Sequence, residues 1–304
     1  MMKVLKFEDF LLESKKTGKK TLFISFTEET RGINYHDYIS SKINADFCIW
    51  ENLVFDEGEI LFNGNPISDY GFIFIGLVSK YPDYFVSVEE YLKSRKIPSF
   101  NYGCSPERYN KILQNRILHS KNLNPIPTII GMCSEVDPKE LVKELGLPIV
   151  AKITDGSKGK GVTLQKTESD LKSYLKKNKD QKTIFQKFIE NEADYRLLFV
   201  ENKLIYVTER KLPDKSKEFR SNSFDATVKR VNLPKEAVDL ARNAVKAMGF
   251  DVSGVDIIKE PRGKKWYIIE INSAPQFGIK DGDKIITDYR KVLDEFIRII
   301  KKKI

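Results

Sequence analysis

The sequence contains no long hydrophobic run. Its longest apolar stretches, such as residues 73–78, have the length of a strand, whereas a membrane-spanning helix needs about 20 apolar residues. The opening stretch MMKVLKFEDF carries acidic residues too early for a secretory signal, so we expect none there. We therefore expect a cytoplasmic protein that has no membrane partner.

Cysteine is scarce, and its pattern excludes a disulfide framework. The chain has 3 cysteines, Cys48, Cys104 and Cys133, which cannot all pair and which lack the close spacing of metal ligands. Unpaired cysteines are typical of a reducing compartment. We expect these three to be small buried residues.

Two familiar nucleotide-binding patterns are missing as well. After the apolar run that ends at Phe26, the sequence continues Thr-Glu-Glu-Thr instead of the glycine fingerprint of a dinucleotide-binding fold. A glycine-rich loop at residues 155–161 leads into a strand, whereas a Walker A loop opens a helix. Neither pattern therefore predicts how this chain would bind a nucleotide.

The composition is that of a soluble globular protein with room for two or three subdomains. The chain has 304 residues, of which 41% are hydrophobic and 31% are charged. The formal net charge of +9 raises the question of a nucleic-acid partner, but the lysines are scattered along the sequence. An anionic substrate such as ATP requires only a few of them, so we expect no specific nucleic-acid partner.

Residues 1–104 alternate between strand and helix patterns and predict a small α/β domain. Two turn signals, Glu57-Gly58 and Asn63-Gly64, predict an inserted hairpin. The predicted strands are residues 21–26, 47–54 and 71–77, and the predicted helices are residues 35–43 and 88–94.

A helix start follows at Ser105, which is a capping residue followed by Pro106 at the first helical position. The helix is predicted to run to about Lys121, with Lys111 in its second turn. Taken alone, Lys111 is also consistent with an ordinary surface lysine. The next predicted elements are a strand at residues 128–131, a helix at residues 138–145 ended by Gly146, and a strand at residues 148–153.

Lys152 interrupts an apolar strand, which is costly unless its ammonium group reaches a partner or a ligand. Soon after it comes the loop at residues 155–161, whose glycines expose backbone N–H groups that can approach phosphate oxygens. Such a loop is often only a hairpin turn. Its position beside Lys152 favours a flap over a nucleotide.

Polar residues accompany the strands that follow. A hairpin is predicted around Glu201-Asn202, and Asp194 and Arg196 stand just before it on one face. The segment Phe-Arg-Ser-Asn at residues 219–222 has too few apolar residues to belong to a core. The flanking predicted elements are a strand at residues 183–189 and a helix at residues 234–248 ended by Gly249.

A second hairpin, residues 255–272, combines apolar strands with a few oxygen-bearing side chains. Side chains alternate along a strand, so Glu270 and Asn272 are predicted to point to one face while Ile269 and Ile271 point to the other. The polar pair therefore faces away from the apolar side of the strand.

Asp256 and Glu270 lie equally far from Gly263 in the predicted turn, which places the two carboxylates opposite each other. Opposed carboxylates repel unless a cation lies between them, and two carboxylates with the nearby Asn272 amide suit Mg²⁺. The alternative is an exposed hairpin face that carries ordinary solvated acids.

Taken together in their order along the chain, the segments described above resemble the ATP-grasp superfamily. They most resemble the RimK-type ligases that add amino acids to a protein or peptide carboxyl end. Glutathione-synthetase-like enzymes are also similar. The resemblance covers residues 105–285 and implies an α/β (α+β) ATP-grasp fold. The implied divisions are an N-terminal α/β domain at residues 1–104 and an ATP-grasp domain at residues 105–304, which contains a lid subdomain at about 125–187 and a C-terminal antiparallel-sheet lobe at about 188–304.

The resemblance also implies a nucleotide site. Lys111 and Lys152 would hold the ATP phosphates, Asp194 would bind the ribose, and Arg196 would support it nearby. The implied flap residues are Gly156, Ser157, Lys158, Gly159 and Gly161, and the implied adenine contacts come from Gln186 and from the backbones of Lys187 and Phe188.

The implied catalytic and metal residues complete this picture. Arg220 would face the γ-phosphate and the developing acyl phosphate, with Asn222 beside it. Asp256, Glu270 and Asn272 would bind two Mg²⁺ ions, for which Mn²⁺ is an alternative. Metal and cations would neutralise charge while a substrate carboxylate is held in line for phosphoryl transfer.

The implied activity is ATP-dependent, ADP-forming ligation of a carboxylate to an amine through an acyl phosphate. The partners would be an acid and an amine supplied by an amino acid, a peptide or a protein terminus, and homo-oligomerisation stays open. Two alternatives remain: an ATP-grasp kinase of a small molecule, and a non-catalytic nucleotide-binding protein. The second is disfavoured because the implied phosphate-binding, catalytic and metal residues are all present, namely Lys152, Arg220, Asp256, Glu270 and Asn272.

Two segments depart from the RimK-type pattern. After Arg-Ser-Asn, where that pattern has a histidine and a glycine pair, residues 223–227 read Ser-Phe-Asp-Ala-Thr. After Glu-Ile-Asn, residues 273–277 lack the usual glycine behind Pro275, and their Gln-Phe ending is similar to ATP-grasp enzymes that modify ribosomal peptides. Both segments border the implied acceptor site, so the resemblance does not identify the substrates.

Overall fold

The computed structural model describes most of the chain and has the predicted mixed α/β character. The described residues are 20–25, 34–76, 81–100, 110–154, 161–211, 227–261, 265–273, 275–281 and 284–304. Within these ranges the strands form five sheets, and no helix combines the length and hydropathy needed to cross a bilayer.

The N-terminal part contains a parallel sheet in the order β2-β1-β6-β7 and a small antiparallel sheet in the order β3-β4-β5. Its elements are β1 (Thr21–Ile24), α1 (Tyr35–Ser40), β2 (Ala45–Cys48), β3 (Leu53–Asp56), β4 (Glu59–Phe62), β5 (Asn65–Pro66), β6 (Phe72–Ile75), α2 (Pro82–Ser94) and β7 (Ser99–Phe100). The predicted hairpin insertion is confirmed, with Gly58 and Gly64 at its turns in positive-φ conformations.

The single strand predicted at residues 47–54 is wrong. A 3₁₀ turn at Trp50–Asn52 separates β2 from β3. The turn buries Trp50 to 3% exposure, with its ring centroid 6.4 Å from that of Phe85 on α2. Burial of this large ring outweighs continuation of the strand, and the chain leaves the parallel sheet there to begin the antiparallel one.

The helix that carries Lys111 begins later than predicted. Asn110 is extended, and its side chain accepts hydrogen bonds from the N–H groups of Ile112 and Leu113, so Lys111 is the first residue of α3 (Lys111–Ser120) and not part of a second turn. Ser105 and Pro106 lie outside the described residues.

The next sheet is antiparallel, in the order β10-β9-β11-β8, and helices cover one of its faces. Leu141 and Leu171 of these helices pack against Ile149, Ala151 and Phe185 of the sheet. The elements are β8 (Thr128–Met132), α4 (Pro138–Leu145), β9 (Ile149–Ile153), β10 (Val162–Gln165), α5 (Glu168–Lys177) and β11 (Lys182–Lys187). We call this sheet the lid sheet.

The largest sheet has the order β14-β13-β12-β15-β16, and we call it the lobe sheet. Its elements are β12 (Ala193–Val200), β13 (Lys203–Lys211), β14 (Thr227–Arg230), α6 (Lys235–Met248), β15 (Val252–Lys259) and β16 (Trp266–Asn272), followed by β17 (Ile279–Asp281), β18 (Lys284–Thr287) and α7 (Arg290–Lys303). The apolar stripe of α6, which includes Ala241 and Val245, packs against Leu197, Phe199 and Val255 of one face. Part of the other face packs against α7 and the N-terminal sheet.

Candidate active site

The uncovered face of the lid sheet and the polar part of the lobe sheet face the same cleft. Lys152 on β9 lies opposite Ile184 on β11, and Gln186 lies opposite Val150 on β9 and Thr128 on β8. Directly opposed residues project from the same side of a sheet, so these side chains share the face that α4 and α5 leave open. The cleft is lined by Lys111, Gln114, Asn115, Leu118, Pro125, Thr128, Lys152, Ile184, Gln186, Ile268, Ile269 and Glu270.

The cleft brings together two lysines that are far apart in the sequence. Burial lowers the pKa of Lys152; the negative charges of Glu270 and Asp256 oppose this, and the positive charge of Lys111 adds to it. Lys152 therefore lies within electrostatic range of both carboxylates and of the other lysine. A polyanion in the cleft would meet two ammonium groups and would stabilise the charged form of Lys152.

The Gln186 side chain presents a fixed hydrogen-bond acceptor to the cleft. The Thr128 hydroxyl donates to the carbonyl of Ile126 at 2.6 Å, so its oxygen is left to accept a hydrogen bond from Gln186 Nε2 at 3.0 Å. Gln186 is only 6% exposed, and its Oε1 has no hydrogen-bond partner among the described residues. A buried acceptor of this kind fits a ligand that brings a donor, such as the amino group of adenine.

Four buried charges cross-pair on the lobe sheet. Arg196 donates to both oxygens of Asp256, with Nε–Oδ1 and Nη2–Oδ2 distances of 2.6 Å. Arg210 donates to Asp194 at 2.5 and 3.0 Å, and its Nη2 also lies 3.0 Å from Asp256 Oδ2. Asp194 and Asp256 are 6% and 2% exposed. The predicted shared face of Asp194 and Arg196 is confirmed, and their strand pairing places Arg210 and Asp256 on it too.

The arginine pairs neutralise Asp256, whose charge the sequence alone assigned to a metal ion. Asp256 does lie opposite Glu270, as predicted. Burial would raise the pKa of Asp256, but the Arg196 and Arg210 guanidinium groups outweigh burial and hold that pKa at about 2. The cationic partners of Asp256 are thus two arginines, so the opposition of two carboxylates does not by itself require a metal ion.

Oxygen atoms that suit a hard cation remain near this pair. Asn272 Nδ2 donates to Glu270 Oε1 at 3.1 Å, which leaves the amide oxygen and the second carboxylate oxygen as ligands. Of the roughly four acceptor positions of a carboxylate, Asp256 uses three for its arginines. Within the described ranges, no group of three or more His, Cys, Asp or Glu side chains could hold an ion by itself. The donor set fits Mg²⁺ with Glu270 and Asn272 as the main protein ligands.

Strand bulges correct one predicted orientation. The register of β15 and β16 shifts between Asp256 and Ile257, so one extra residue is inserted on β16. Ile271 packs in the cluster below α6, as predicted, but Ile269 packs with Ile258 on the cleft side. The prediction that Ile269 and Ile271 share a face is therefore wrong.

The predicted adenine contacts are at the junction of the two sheets. The N–H of Lys187 donates to the Pro127 carbonyl at 3.0 Å, and the N–H of Phe188 donates to the Pro148 carbonyl at 3.3 Å. A backbone contact of Lys187 or Phe188 with a base would therefore have to use a carbonyl oxygen. Gly161 lies where β10 begins, at φ 79°. The remaining predicted residues, Gly156, Ser157, Lys158, Gly159, Arg220 and Asn222, lie outside the described residues.

Several residues of the cleft were not predicted from the sequence. Gln114, Asn115 and Leu118 follow Lys111 at intervals of three, four and seven, which places all four on one helix face. This spacing could have identified them. Arg210 gave no such signal, because a bulge in the β12–β13 hairpin decides which face it occupies.

A comparison with protein-family models matches residues 109–295 to the RimK-like ATP-grasp domain. Two relatives carry the name probable alpha-L-glutamate ligase. The one from Syntrophotalea carbinolica is 30% identical over 251 residues, which are 80% of this chain and 80% of that protein. The one from Parasynechococcus marenigrum is 31% identical over 172 residues, which are 55% of this chain and 36% of that protein. The chain thus spans little more than a third of the longer relative.

Among solved structures, the ATP-grasp ligase PsnB, in complex with a phosphomimetic variant of a minimal precursor, Mg and ADP, has a similar fold. The TM-score is 0.70 at 13% sequence identity, and the match covers 92% of this chain and 98% of that one. At this identity the likeness concerns the fold alone. It confirms the predicted ATP-grasp fold.

Proposed function

Because the chain belongs to the RimK-like ATP-grasp family, we propose that it is an ATP-dependent ligase that joins a carboxylate to an amine and releases ADP and phosphate. The observation that carries this proposal is the cleft itself. Lys111 and Lys152, from two separate elements, face Glu270 from the lobe sheet across one cavity. Two cations and a carboxylate beside an amide oxygen are the groups that a metal-bound nucleotide requires.

We propose that the lid sheet binds the base and the lobe sheet faces the phosphates. The orphaned acceptor of Gln186 and the apolar side chains of Ile184 and Ile269 suit adenine, while Lys111 and Lys152 suit the phosphates. In this assignment Asp194 reaches the ribose only through the oxygen lone pairs that Arg210 leaves unused. The proposed domain boundary at residues 104–105 and the lid boundaries at about 125 and 187 separate these units.

Mg²⁺, which ligases of this family use with ATP, would be held by Glu270 and Asn272, with the remaining acceptor position of Asp256 as a further contact. We propose two ions that share Glu270, and Mn²⁺ as a substitute. When bound, the metal neutralises phosphate charge and polarises the transferred phosphoryl group. Arg196 and Arg210 hold Asp256 ionised and fix its orientation.

The proposed reaction has two steps, formation of an acyl phosphate and its attack by an amine. A substrate carboxylate oxygen attacks the γ-phosphorus of ATP, the bond to the bridging oxygen breaks, and ADP leaves. A neutral amine then attacks the acyl carbon, the acyl–oxygen bond breaks, phosphate leaves, and the amine gives up a proton. Lys152 and Arg220, with Asn222 beside it, would face the charge that develops in the first step.

The roles of Arg220 and Asn222 rest on the family resemblance. We expect Arg220→Met to lower kcat while the affinity for MgATP changes much less, because a cation that acts on developing charge stabilises the transition state more than the bound substrate. An Arg220→Met enzyme with a normal turnover rate would remove this residue from the mechanism.

We propose that the amine is an amino acid and that the acid belongs to a peptide or protein. Two relatives named probable alpha-L-glutamate ligase and a neighbour solved with a minimal precursor support this proposal. Of the two segments that depart from the RimK-type pattern, the second ends at Gln276 and Phe277 and is anchored to the lobe sheet. The Tyr206 hydroxyl on β13 donates to the carbonyls of these two residues at 2.8 and 3.0 Å. The side chains of this segment are therefore presented from a fixed backbone.

The test measures ADP formation and product mass with MgATP, pooled amino acids and a peptide acceptor. A ligase sustains ADP release over many turnovers only when acid and amine are both present, and its product gains the mass of one amino acid minus water. ADP release with a single acceptor and a stable phosphorylated product would identify a kinase instead. A protein that binds MgATP but releases no ADP under any combination would contradict the proposal.

A further inference from the structure

The outer edge of β16 is covered in part by a short backbone segment and in part by a side chain. β16 is the last strand of the lobe sheet in the order β14-β13-β12-β15-β16. Near its middle, the backbone of Ile268 pairs with the chain just before the lid sheet: its N–H donates to Asn124 O at 3.0 Å, and its carbonyl accepts from Ile126 N at 3.3 Å. Three residues further along, at Ile271, the partner is Gln114 of α3.

Gln114 pairs with both backbone groups of one residue. Its Nε2 donates to the carbonyl of Ile271 at 3.0 Å, and its Oε1 accepts from the N–H of Ile271 at 3.3 Å. Gln114 and Ile271 are 6% and 3% exposed, so these backbone groups have no ready access to water. A primary amide offers one donor and one acceptor in the spacing of a strand neighbour, whereas carboxylate and thioether side chains do not.

The two hydrogen bonds act on the peptide units that flank Ile271. The N–H belongs to the peptide that joins Glu270 to Ile271, and the carbonyl belongs to the peptide that joins Ile271 to Asn272. Fixing both planes fixes the directions in which the Glu270 and Asn272 side chains leave the strand. On the helix, Gln114 lies one turn after Lys111, and both residues line the cleft.

We propose that Gln114 is a positioning residue that aligns the metal ligands of β16 with the phosphate-binding lysine of α3. The proposal rests on the proposed function, because it assumes that Glu270 and Asn272 bind the metal. The amide of Gln114 is already hydrogen-bonded to the Ile271 backbone, so we assign it no direct contact with metal or nucleotide. It acts through the backbone, as outer-shell partners of metal ligands do when they orient the ligand.

The test compares Gln114→Met with Gln165→Met. Gln165 is equally buried, at 6% exposure, but its amide donates to Thr163 Oγ1 at 2.8 Å on the helix-covered face of the lid sheet. Each protein is titrated with Mn²⁺ in the presence of ADP. Binding is measured as the decrease of the free Mn²⁺ signal in electron paramagnetic resonance. ADP binding without metal and thermal unfolding are measured in parallel.

We expect Gln114→Met to weaken Mn²⁺ binding about tenfold, which is the lower end of the effect of outer-shell substitutions, while metal-free ADP binding changes less. Gln165→Met is expected to lower the melting temperature without changing Mn²⁺ binding. If Gln114→Met does not fold, Gln114→Asn replaces it. This variant keeps a neutral amide on a side chain that is one methylene shorter, so its hydrogen bonds to the Ile271 backbone should weaken and its Mn²⁺ affinity should fall below that of wild type.

Equal Mn²⁺ affinity of the folded Gln114 variant and wild type would overturn the proposal, whatever the melting temperatures. Equal weakening by Gln165→Met would overturn it too, because any buried amide would then have the same effect. A wild-type protein that binds neither ADP nor Mn²⁺ with ADP would overturn the proposed function and the positioning role together. The first two outcomes leave the proposed function intact.

Discussion

The lid sheet and the lobe sheet enclose the same cleft but carry their charges differently. On the lid face, Lys152 stands among Val150, Ile184 and Gln186, and burial lowers its pKa. On the lobe face, each arginine is hydrogen-bonded to an aspartate with N–O distances of 2.5 to 3.0 Å. One face holds a cation that a ligand would stabilise, and on the other two arginines and two aspartates neutralise one another without a ligand.

This difference gives the two sheets different roles: the lid sheet contributes affinity for the nucleotide, and the lobe sheet contributes a rigid geometry. Desolvation of a partly buried cation lowers stability until an anionic ligand arrives, so the lid gains from binding a nucleotide. A cross-paired group of two arginines and two aspartates costs desolvation but is held by many charge-assisted hydrogen bonds, so its geometry is fixed before binding. Gly254 allows this close packing, because a Cβ there would lie 2.8 Å from the Cβ of Pro275 and 3.5 Å from the Cδ of Arg196.

Breaking the paired face should have the largest effect on stability. Arg210→Met removes the hydrogen-bonded cation of Asp194 and one of the two cations of Asp256, and we expect the free energy of unfolding to fall by about 3–5 kcal/mol. Urea denaturation measures this loss. Arg242→Met is the matched control, because Arg242 also pairs with an aspartate at 2.6 Å but at 31% and 42% exposure, where a pair contributes about 0–1 kcal/mol. Similar losses in the two variants would show that the buried group is not a unit.

Removing one charge at the metal ligands should affect chemistry and spare the fold. Glu270→Gln keeps the size of the side chain and removes a strong metal oxygen, so we expect ADP formation to fall on the order of 100-fold. The free energy of unfolding should change by less than about 0.5 kcal/mol, because Asp256 opposite it is already neutralised by arginines. Glu260→Gln, at the turn end of the same hairpin, is the control. Normal ADP formation by Glu270→Gln would exclude this residue as a metal ligand.

Removing the lid cation should weaken nucleotide binding without weakening the apo protein. Lys152→Met is expected to lower the affinity for ADP about tenfold, the equivalent of roughly 1.4 kcal/mol, with no loss of apo stability, since a buried ammonium is costly in the absence of a ligand. Lys182→Met, at an exposed position of the same sheet, should leave both quantities unchanged. A strong loss of apo stability in Lys152→Met would mean that Lys152 is a structural cation.

The smallest effect concerns the choice of base. Gln186→Leu removes the acceptor that we assign to the adenine amino group. At the same position of the base, ATP has this amino group as a donor, whereas GTP has a carbonyl oxygen, which is an acceptor. We expect the preference for ATP over GTP to fall by about three- to tenfold, the worth of one hydrogen bond. Competition between the two nucleotides measures the ratio. An unchanged ratio would place the base elsewhere.

The sequence predicted the elements of the lid sheet well, because their signals are local. Asp137 and Pro138 begin α4 and Gly146 ends it at φ 71°, as the cap pattern indicates. Lys152 was identified as a charge out of place in an apolar strand, and the cleft accounts for it. Such signals depend on neighbouring residues and need no knowledge of the fold.

The pairing on the lobe sheet could not be predicted, because bulges set it. A two-residue turn at Glu201 and Asn202 without a bulge would place Glu209 opposite Asp194. A register shift between Leu198 and Phe199 instead places Arg210 there, and a one-residue shift moves a side chain to the other face. The opposition of two acids was predicted correctly, while the cations that stabilise one of them were not.

We propose that the lobe sheet binds the nucleotide through a metal ion, whereas the lid sheet contacts the nucleotide directly. Calorimetric titration of ADP with and without Mg²⁺ tests this claim in wild type, Glu270→Gln and Lys152→Met. We expect Mg²⁺ to strengthen ADP binding in wild type and in Lys152→Met, with the affinities of Lys152→Met lower in both conditions. In Glu270→Gln, metal-free binding should remain and the strengthening by Mg²⁺ should disappear. Full strengthening by Mg²⁺ in Glu270→Gln would contradict the account.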